Sequence, residues 1–183
     1  RTFVSYEEFA PSLVQAAVAT EDKRFYKHSG VDLPSLGRVL FRTLLSRDSS
    51  QGGGSTITQQ LAKTLYPRAA HVSKLGMVWI KLKEWITAIK LERNYTKDEI
   101  MDMYMNAVFF VSNSYGISSA ANQFFGKRPI ELLTEESAVL VGMVNKPTRY
   151  NPSINPDHAL RRRNLVLDRM CSMDYLTRQE CDS

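Results

Sequence analysis

Helix-start signatures recur along this chain, and they constrain its fold more than any other feature. Ser5-Tyr-Glu-Glu8 and Thr96-Lys-Asp-Glu99 are capping boxes, in which a hydroxyl and a carboxylate three residues apart satisfy each other's orphan backbone N–H. The first is expected to open a helix that runs to Ala19 and delivers Glu21-Asp22 at its end. The second opens a helix through Met103, Tyr104 and Asn106. Thr134-Glu-Glu-Ser137 sets acids against the positive end of a helix dipole. Asn155-Pro156 begins a basic helix through Arg161-Arg-Arg163 to Met170, and Thr177-Arg-Gln-Glu180 starts another. Residues 72–93 form the longest helix, with Leu75, Val78, Trp79, Leu82, Ile86 and Ile89 on one stripe at the 3.6-residue period. Strand signals are weak, and 107–112 (AVFFVS) is the one short candidate. The fold class is mainly α.

At 183 residues the chain suits one domain, 1–183, with a proper core. Its net charge of +5 fits an anionic partner: a phosphate-bearing substrate, an acidic membrane surface or nucleic acid. The charges are spread along the chain without a recognised reading element, which speaks against nucleic acid. Cys171 and Cys181 form no CxxC motif and have no Cys/His cluster, which speaks against a zinc site. They read most simply as two free thiols, with pairing left open in an oxidising compartment. No apolar run reaches the roughly 20 residues that span a bilayer. Residues 31–50 mix leucines with Arg38, Arg42 and Arg47 at helical spacing, which suits a membrane interface and an ordinary core-facing helix alike. The chain opens at Arg1 without a methionine, and it is expected to be a piece of a longer, membrane-anchored protein.

Three places could carry chemistry. Glu21 at a helix end, beside Asp22, is a candidate general base. Glu84 projects opposite the apolar stripe and close to Lys81, where a surface ion pair is the plain reading. Gly52-Gly-Gly54 precedes Ser55-Thr-Ile-Thr-Gln-Gln60, a glycine-led helix start that can bring backbone close to an anion. The GK[ST] ending of a nucleotide-binding P-loop is missing. Lys63, Lys81, Arg162 and Arg163 are single surface cations that together could hold a diphosphate. His28 has no metal-ligand partner at ligand spacing and reads as a structural hydrogen-bonder.

In this order, these strings resemble glycosyltransferase family 51, the polymerase module of class A penicillin-binding proteins and of monofunctional peptidoglycan glycosyltransferases. Its five motifs are matched by Glu21-Asp-Lys-Arg-Phe25-Tyr-Lys-His28-Ser-Gly30, by Gly53-Gly-Ser55-Thr-Ile-Thr-Gln59-Gln60-Leu-Ala-Lys63, by Lys81-Leu-Lys-Glu84, by Lys97-Asp-Glu-Ile100 through Asn106, and by Arg162-Arg163-Asn-Leu-Val166-Leu167-Asp-Arg-Met170. The resemblance covers almost the whole chain. It implies a lysozyme-like helical lobe and a smaller membrane-proximal lobe that includes residues 31–50. It also implies a domain on the outer face of the bacterial cytoplasmic membrane.

The implied reaction joins lipid II to a growing glycan on polyprenyl diphosphate, with inversion to a β-1,4 bond. Glu21 would be the general base, and Glu84 the second essential glutamate. Asp22, Phe25, His28, Gly54, Ser55, Thr56, Gln59 and Gln60 would lie on the substrate side. Lys63 and Lys81 would neutralise the diphosphate, with no obligatory cofactor but room for a divalent cation (Mg or Mn), as some members use. Asn106 and Arg163 would brace the cleft. A transpeptidase domain is expected to follow in the parent protein. Ile80 stands where the family usually has Arg, a loss that Lys83 or Arg68 is expected to offset; Gly52 stands for Gln and Val111 for Gly. The competing readings are a non-catalytic lipid II-binding module and a lysozyme-like muramidase.

Overall fold

The computed structural model describes residues 3–38, 54–66, 73–110 and 115–181. It is mostly helical, with no strand among the described residues. The helices are α1 (Pro11–Glu21), α2 (described over 33–38), α3 (Ile57–Leu65), α4 (Lys74–Asn94), α5 (Lys97–Ala107), α6 (Ile117–Phe125), α7 (Thr134–Val144), α8 (Pro156–Cys171) and α9 (Arg178–Cys181). They gather into two compact units, one of Arg1–Lys23 with Met105–Ser183, the other of Arg24–Tyr104.

In the first unit α1 packs against α7 and α8, and α7 also packs against α6. Leu13, Val14, Ala16, Ala17, Val18 and Ala19 are all buried, so α1 is enclosed on nearly every side. Its run of alanines lets neighbouring backbones come close. Opposite them lie Ala138, Leu140, Val141 and Met143 of α7, and Ala159, Val166 and Met170 of α8. The Ser5 capping box forms, with the Ser5 N–H donating to Glu8 at 3.1 Å, but it closes a separate 3-10 turn, Tyr6–Glu8. The expected helix start is therefore shifted: Pro11 sits in the first turn of α1, and Ala10 before it is extended (ψ 137°). A proline disfavours the helical conformation in the residue before it, so one continuous helix from Ser5 is ruled out. The boxes and caps expected at Thr96, Thr134 and Pro156 do start helices.

The short strand expected over 107–112 does not form in the described part. Ala107 ends α5, and the segment makes a single antiparallel bridge, Phe109 with Tyr115. Gly116, at φ 83°, turns the chain into α6 at once and leaves no ladder to extend. Residues 111–112 lie outside the described residues.

Cys171 and Cys181 are joined in a disulfide, contrary to the simpler expectation of free thiols. The bond ties α9 to the end of α8. Closing a loop of this length is worth up to about 3 kcal/mol through the unfolded chain. Cys171→Ser is therefore expected to lower the unfolding free energy by about 2–3 kcal/mol in urea melts, and reductant should lower the parent chain's stability equally.

In the second unit α3 packs on α4 over a core of Phe25, Ile57, Leu61, Ala62, Ala88, Ile100 and Met101. The long helix α4 is capped by Ser73, whose hydroxyl accepts from the Gly76 N–H at 3.1 Å. Its apolar stripe faces outward: Val78, Trp79, Leu82, Ile86 and Ile89 are all exposed, with Trp79 at 60%. Among its described side chains Glu84 and Ala88 are buried, and the Glu92 carboxylate is also withdrawn from water. The expected surface placement of Glu84 is thus reversed. Gly30 explains why Ala88 faces inward. The loop crosses α4 so closely there that a Cβ on Gly30 would lie 2.7 Å from the Ala88 carbonyl carbon, and Gly30 is at φ +94°. Only a small residue beneath and glycine above permit that crossing. Gly30→Ala combines backbone strain with overpacking and is expected to cost about 3 kcal/mol, read from denaturant midpoints.

The segment 31–50, expected to be membrane-proximal, is described only to residue 38; the rest, with Gly52, Arg68 and Val111, lies outside the described residues. The side chain of Leu75 in the expected stripe is also outside them. No helix of the described residues is long and apolar enough to cross a membrane.

Candidate active site

Glu21 is the last residue of α1, where the backbone turns away through Asp22 at φ −156°. Both acids are largely withdrawn from water: the Glu21 side chain is 10% exposed and Asp22 is buried. One cation facing Glu21 is Arg162, whose Nη2 lies 3.8 Å from Glu21 Oε1. The next arginine, Arg163, instead donates through Nε and Nη2 to its neighbour Asn164 at 3.0 and 2.8 Å. Asn106 holds the backbone of Val4. Its amide donates to the Val4 carbonyl at 2.8 Å, and its oxygen accepts from the Val4 N–H at 3.1 Å. These residues belong to the first unit.

The second unit holds the residues of the second and third motifs. Thr56 and Gln59 form a buried capping box at the start of α3: Gln59 N–H donates to Thr56 Oγ1 at 3.1 Å, and Thr56 N–H to the Gln59 side chain at 3.3 Å. The Thr56 hydroxyl also donates to the Gly30 carbonyl at 2.7 Å, joining the second motif to the end of the first. Gln60 accepts from the Tyr104 hydroxyl at 3.3 Å. Gly54 and Ser55 stand half-buried just before the helix, and Lys63 is exposed on its last turn. On α4, Lys81 Nζ pairs with buried Glu84 Oε2 at 2.8 Å. Lys83, a candidate to stand in for the arginine that Ile80 replaces, is turned over the Trp79 ring at 5.6 Å.

Phe25 and His28 are built into the framework. Phe25 is wholly buried, in edge contact with His28. His28 Nδ1 accepts from the Gly30 N–H at 3.1 Å, the structural role expected from the residues alone. The carbonyl of His28 accepts from Lys97 Nζ at 2.8 Å. The Lys97 ammonium also lies 4.4 Å from the centre of the Phe25 ring and bonds Glu92 at 2.7 Å. Glu92, in turn, accepts from the Thr58 hydroxyl at 2.6 Å. One buried carboxylate thus joins the second and fourth motifs, and through Lys97 the first.

The same loop carries a second anchor at Asp32, which accepts from the Ser35 hydroxyl and faces Arg24 Nε at 3.4 Å. Burial alone would raise the Asp32 pKa, but the Ser35 hydroxyl and amide and the Arg24 charge together hold it below the usual carboxylate range.

Sequence reasoning did not single out Glu92, and it treated Arg162 as one dispersed cation among several. Spacing alone could not have picked out Arg162: it lies three residues after buried Ala159 and four before buried Val166, and Arg163 lies four after and three before, so both flank the inward face of α8.

A family model described as Transglycosylase matches residues 1–171. Penicillin-binding protein 1A/1B of Bacillus subtilis (strain 168) is 42% identical over 97% of this chain and 19% of its own length. Penicillin-binding protein 1A of Escherichia coli (strain K12) is 40% identical over 98% of this chain and 20% of its own. The chain therefore spans about a fifth of the length of these curated relatives. A crystal structure of penicillin-binding protein 1A from Haemophilus influenzae aligns with a TM-score of 0.45 at 26% identity, over 69% of this chain and 15% of that one. The chain belongs to the Transglycosylase family, the peptidoglycan glycosyltransferases of glycosyltransferase family 51.

Proposed function

We propose that this chain polymerises lipid II into β-1,4-linked glycan strands with inversion, releasing polyprenyl diphosphate. In this reading Glu21 removes the proton from the acceptor's 4-hydroxyl as that oxygen attacks the anomeric carbon of the donor. The observation that carries it is the guanidinium beside Glu21. A glycosidase acid is typically kept protonated by apolar surroundings and works with a second carboxyl group. Glu21 instead lies beside the Arg162 guanidinium, and the match to the Transglycosylase family supports the same reading.

A diphosphate leaving group needs its charge neutralised more than it needs a proton. Lys63 and Lys81 supply that charge, and Glu84 orients Lys81 through their ion pair. Ser55 and Gly54 offer the donor-side contacts, while Thr56, Gln59, Gln60, Phe25 and His28 hold the surfaces that present them. Asp22 fixes the turn after Glu21. A divalent cation, Mg or Mn, fits this scheme as an ion carried mainly by the diphosphate, since magnesium typically takes one or two carboxylates together with substrate phosphates. Among the described residues no three His, Cys, Asp or Glu side chains gather as a protein-only site would require.

The exposed Val78, Trp79, Leu82, Ile86 and Ile89 on α4 support contact with a membrane surface, because large exposed apolar patches mark interaction sites. The disulfide supports a position on the outer, oxidising side of the bacterial cytoplasmic membrane. The penicillin-binding names of the much longer relatives support a transpeptidase domain in the parent protein.

Turnover of labelled lipid II, measured beside digestion of purified sacculi, tests this reading. Polymer with intact sacculi is the expected result. Digested sacculi without polymer would replace it with a muramidase, and lipid II bound but unchanged would replace it with a binding module.

A further inference from the structure

Arg162 and Arg169 are seven residues apart on α8 and so share a face. Both meet the last turn of α1. Arg162 Nη2 is 3.8 Å from Glu21 Oε1, and the two side chains are 12% and 10% exposed. Arg169 Nη1 donates to the carbonyl of Thr20 at 2.8 Å. The last carbonyls of a helix lack partners within it and carry the negative end of its dipole, so a cation there is stabilising.

Arg162 is itself held from other sides. Its Nε donates to the Gly142 carbonyl of α7 at 3.3 Å, and its guanidinium lies 5.3 Å from the centre of the Tyr150 ring. A Cβ on Gly142 would come within 3.1 Å of Arg162 Cγ, so the glycine leaves the space in which the arginine stem lies. Burial pushes the Arg169 guanidinium below its ordinary pKa; the charge of Arg162 acts in the same direction and that of Glu21 opposes it. The two guanidiniums and the carboxylate therefore act on each other as one charged group.

We infer that Arg162 is a positioning residue for Glu21, fixed by Gly142 and Tyr150 so that it directs the carboxylate, while Arg169 anchors the turn of α1 from which that carboxylate projects. The inference rests on the reading of Glu21 as the base. Arginine suits the task where lysine does not. One planar fork bonds Gly142 through Nε, lies against Tyr150 by its face and still turns Nη2 to Glu21, whereas an ammonium is a point charge that cannot meet all three.

Steady-state turnover of lipid II by the chain and by its Arg162→Ala, Arg162→Lys and Glu21→Gln variants tests this, with melting temperatures measured on each. A carboxylate misplaced by about 1 Å loses on the order of 100-fold in rate. Arg162→Ala is expected to lose about that much in kcat with KM little changed. Added guanidinium ion, far below denaturing concentrations, should restore part of the activity of Arg162→Ala and none of that of Glu21→Gln. Arg162→Lys should fold like the parent chain and recover only part of the rate, which keeps the test open if the alanine variant does not fold. Parent-like kcat in Arg162→Lys, or a loss in Arg162→Ala that follows a lowered melting temperature and ignores guanidinium, would overturn the positioning role. If those results came with an inactive Glu21→Gln, the base would stand and only the positioning would fall. An active Glu21→Gln would remove the base reading, and this inference with it.

Discussion

Glu21→Gln is expected to cut the rate of lipid II polymerisation by about 1,000-fold while lipid II binding stays within a few-fold of the parent chain. General-base catalysis typically contributes on the order of 100- to 10,000-fold, and glutamine keeps the shape of the side chain but cannot take the proton. The substitution also leaves Arg162 without its carboxylate at 3.8 Å, yet the guanidinium keeps Gly142 and Tyr150, so the fold should survive. Single-turnover kinetics with labelled lipid II, set beside a binding isotherm, separates the chemical step from binding. A proportional loss of binding and turnover would mean that Glu21 holds substrate and does not act on it.

A large expected effect on stability lies elsewhere, at Glu92. Its carboxylate is 5% exposed, accepts from Thr58 and pairs with Lys97, which in turn holds the His28 carbonyl and lies over Phe25. Removing one partner of a buried ion pair strands the other charge, and with Lys97 21% exposed and still bonded to His28 the cost is at the low end, about 3 kcal/mol. Glu92→Ala should therefore lower the unfolding free energy by about that amount in urea melts. Glu92→Gln keeps the contact with Thr58 and should cost less, about 1.5–3 kcal/mol, the worth of a hydrogen bond to a charged group. The double variant Glu92→Leu/Lys97→Met removes both charges together, and it should be more stable than Glu92→Ala. Equal losses in Glu92→Ala and in the double variant would show that the stranded charge is not the cause.

Much of the helical plan was legible from the residues because capping is local. Thr96 with Glu99, and Pro156 after Asn155, declare their helices within one turn of sequence. What depends on distant contacts was not legible. The 3.6-residue stripe on α4 identified a helix but not its facing. The facing is set by Gly30 crossing at Ala88, 58 positions away in sequence and invisible to periodicity. The Ser5 box has the right residues, but Pro11 limits it to a 3-10 turn. Two cysteines ten residues apart suit a disulfide only if α8 ends and the chain doubles back, as it does through Asp174 at φ 57°.

At the site, the sequence pointed to Glu21 and to the second-motif string through chemistry and resemblance. It did not separate residues that face a ligand from those that hold the loop. Thr56 and Gln59 are polar and lie in the motif, and the structure uses both in a buried cap. Arg162 and Arg163 are adjacent and alike in type, and the phase of α8 against α1 alone turns the first of them to Glu21.

The most direct test of the central claim is to count polyprenyl diphosphate released from lipid II by the purified chain in detergent against disaccharide units joined into polymer. One diphosphate for each unit joined, with none released when Glu21 is Gln, is the result this account predicts. Lipid II bound by the folded chain with neither polymer nor diphosphate formed would contradict it.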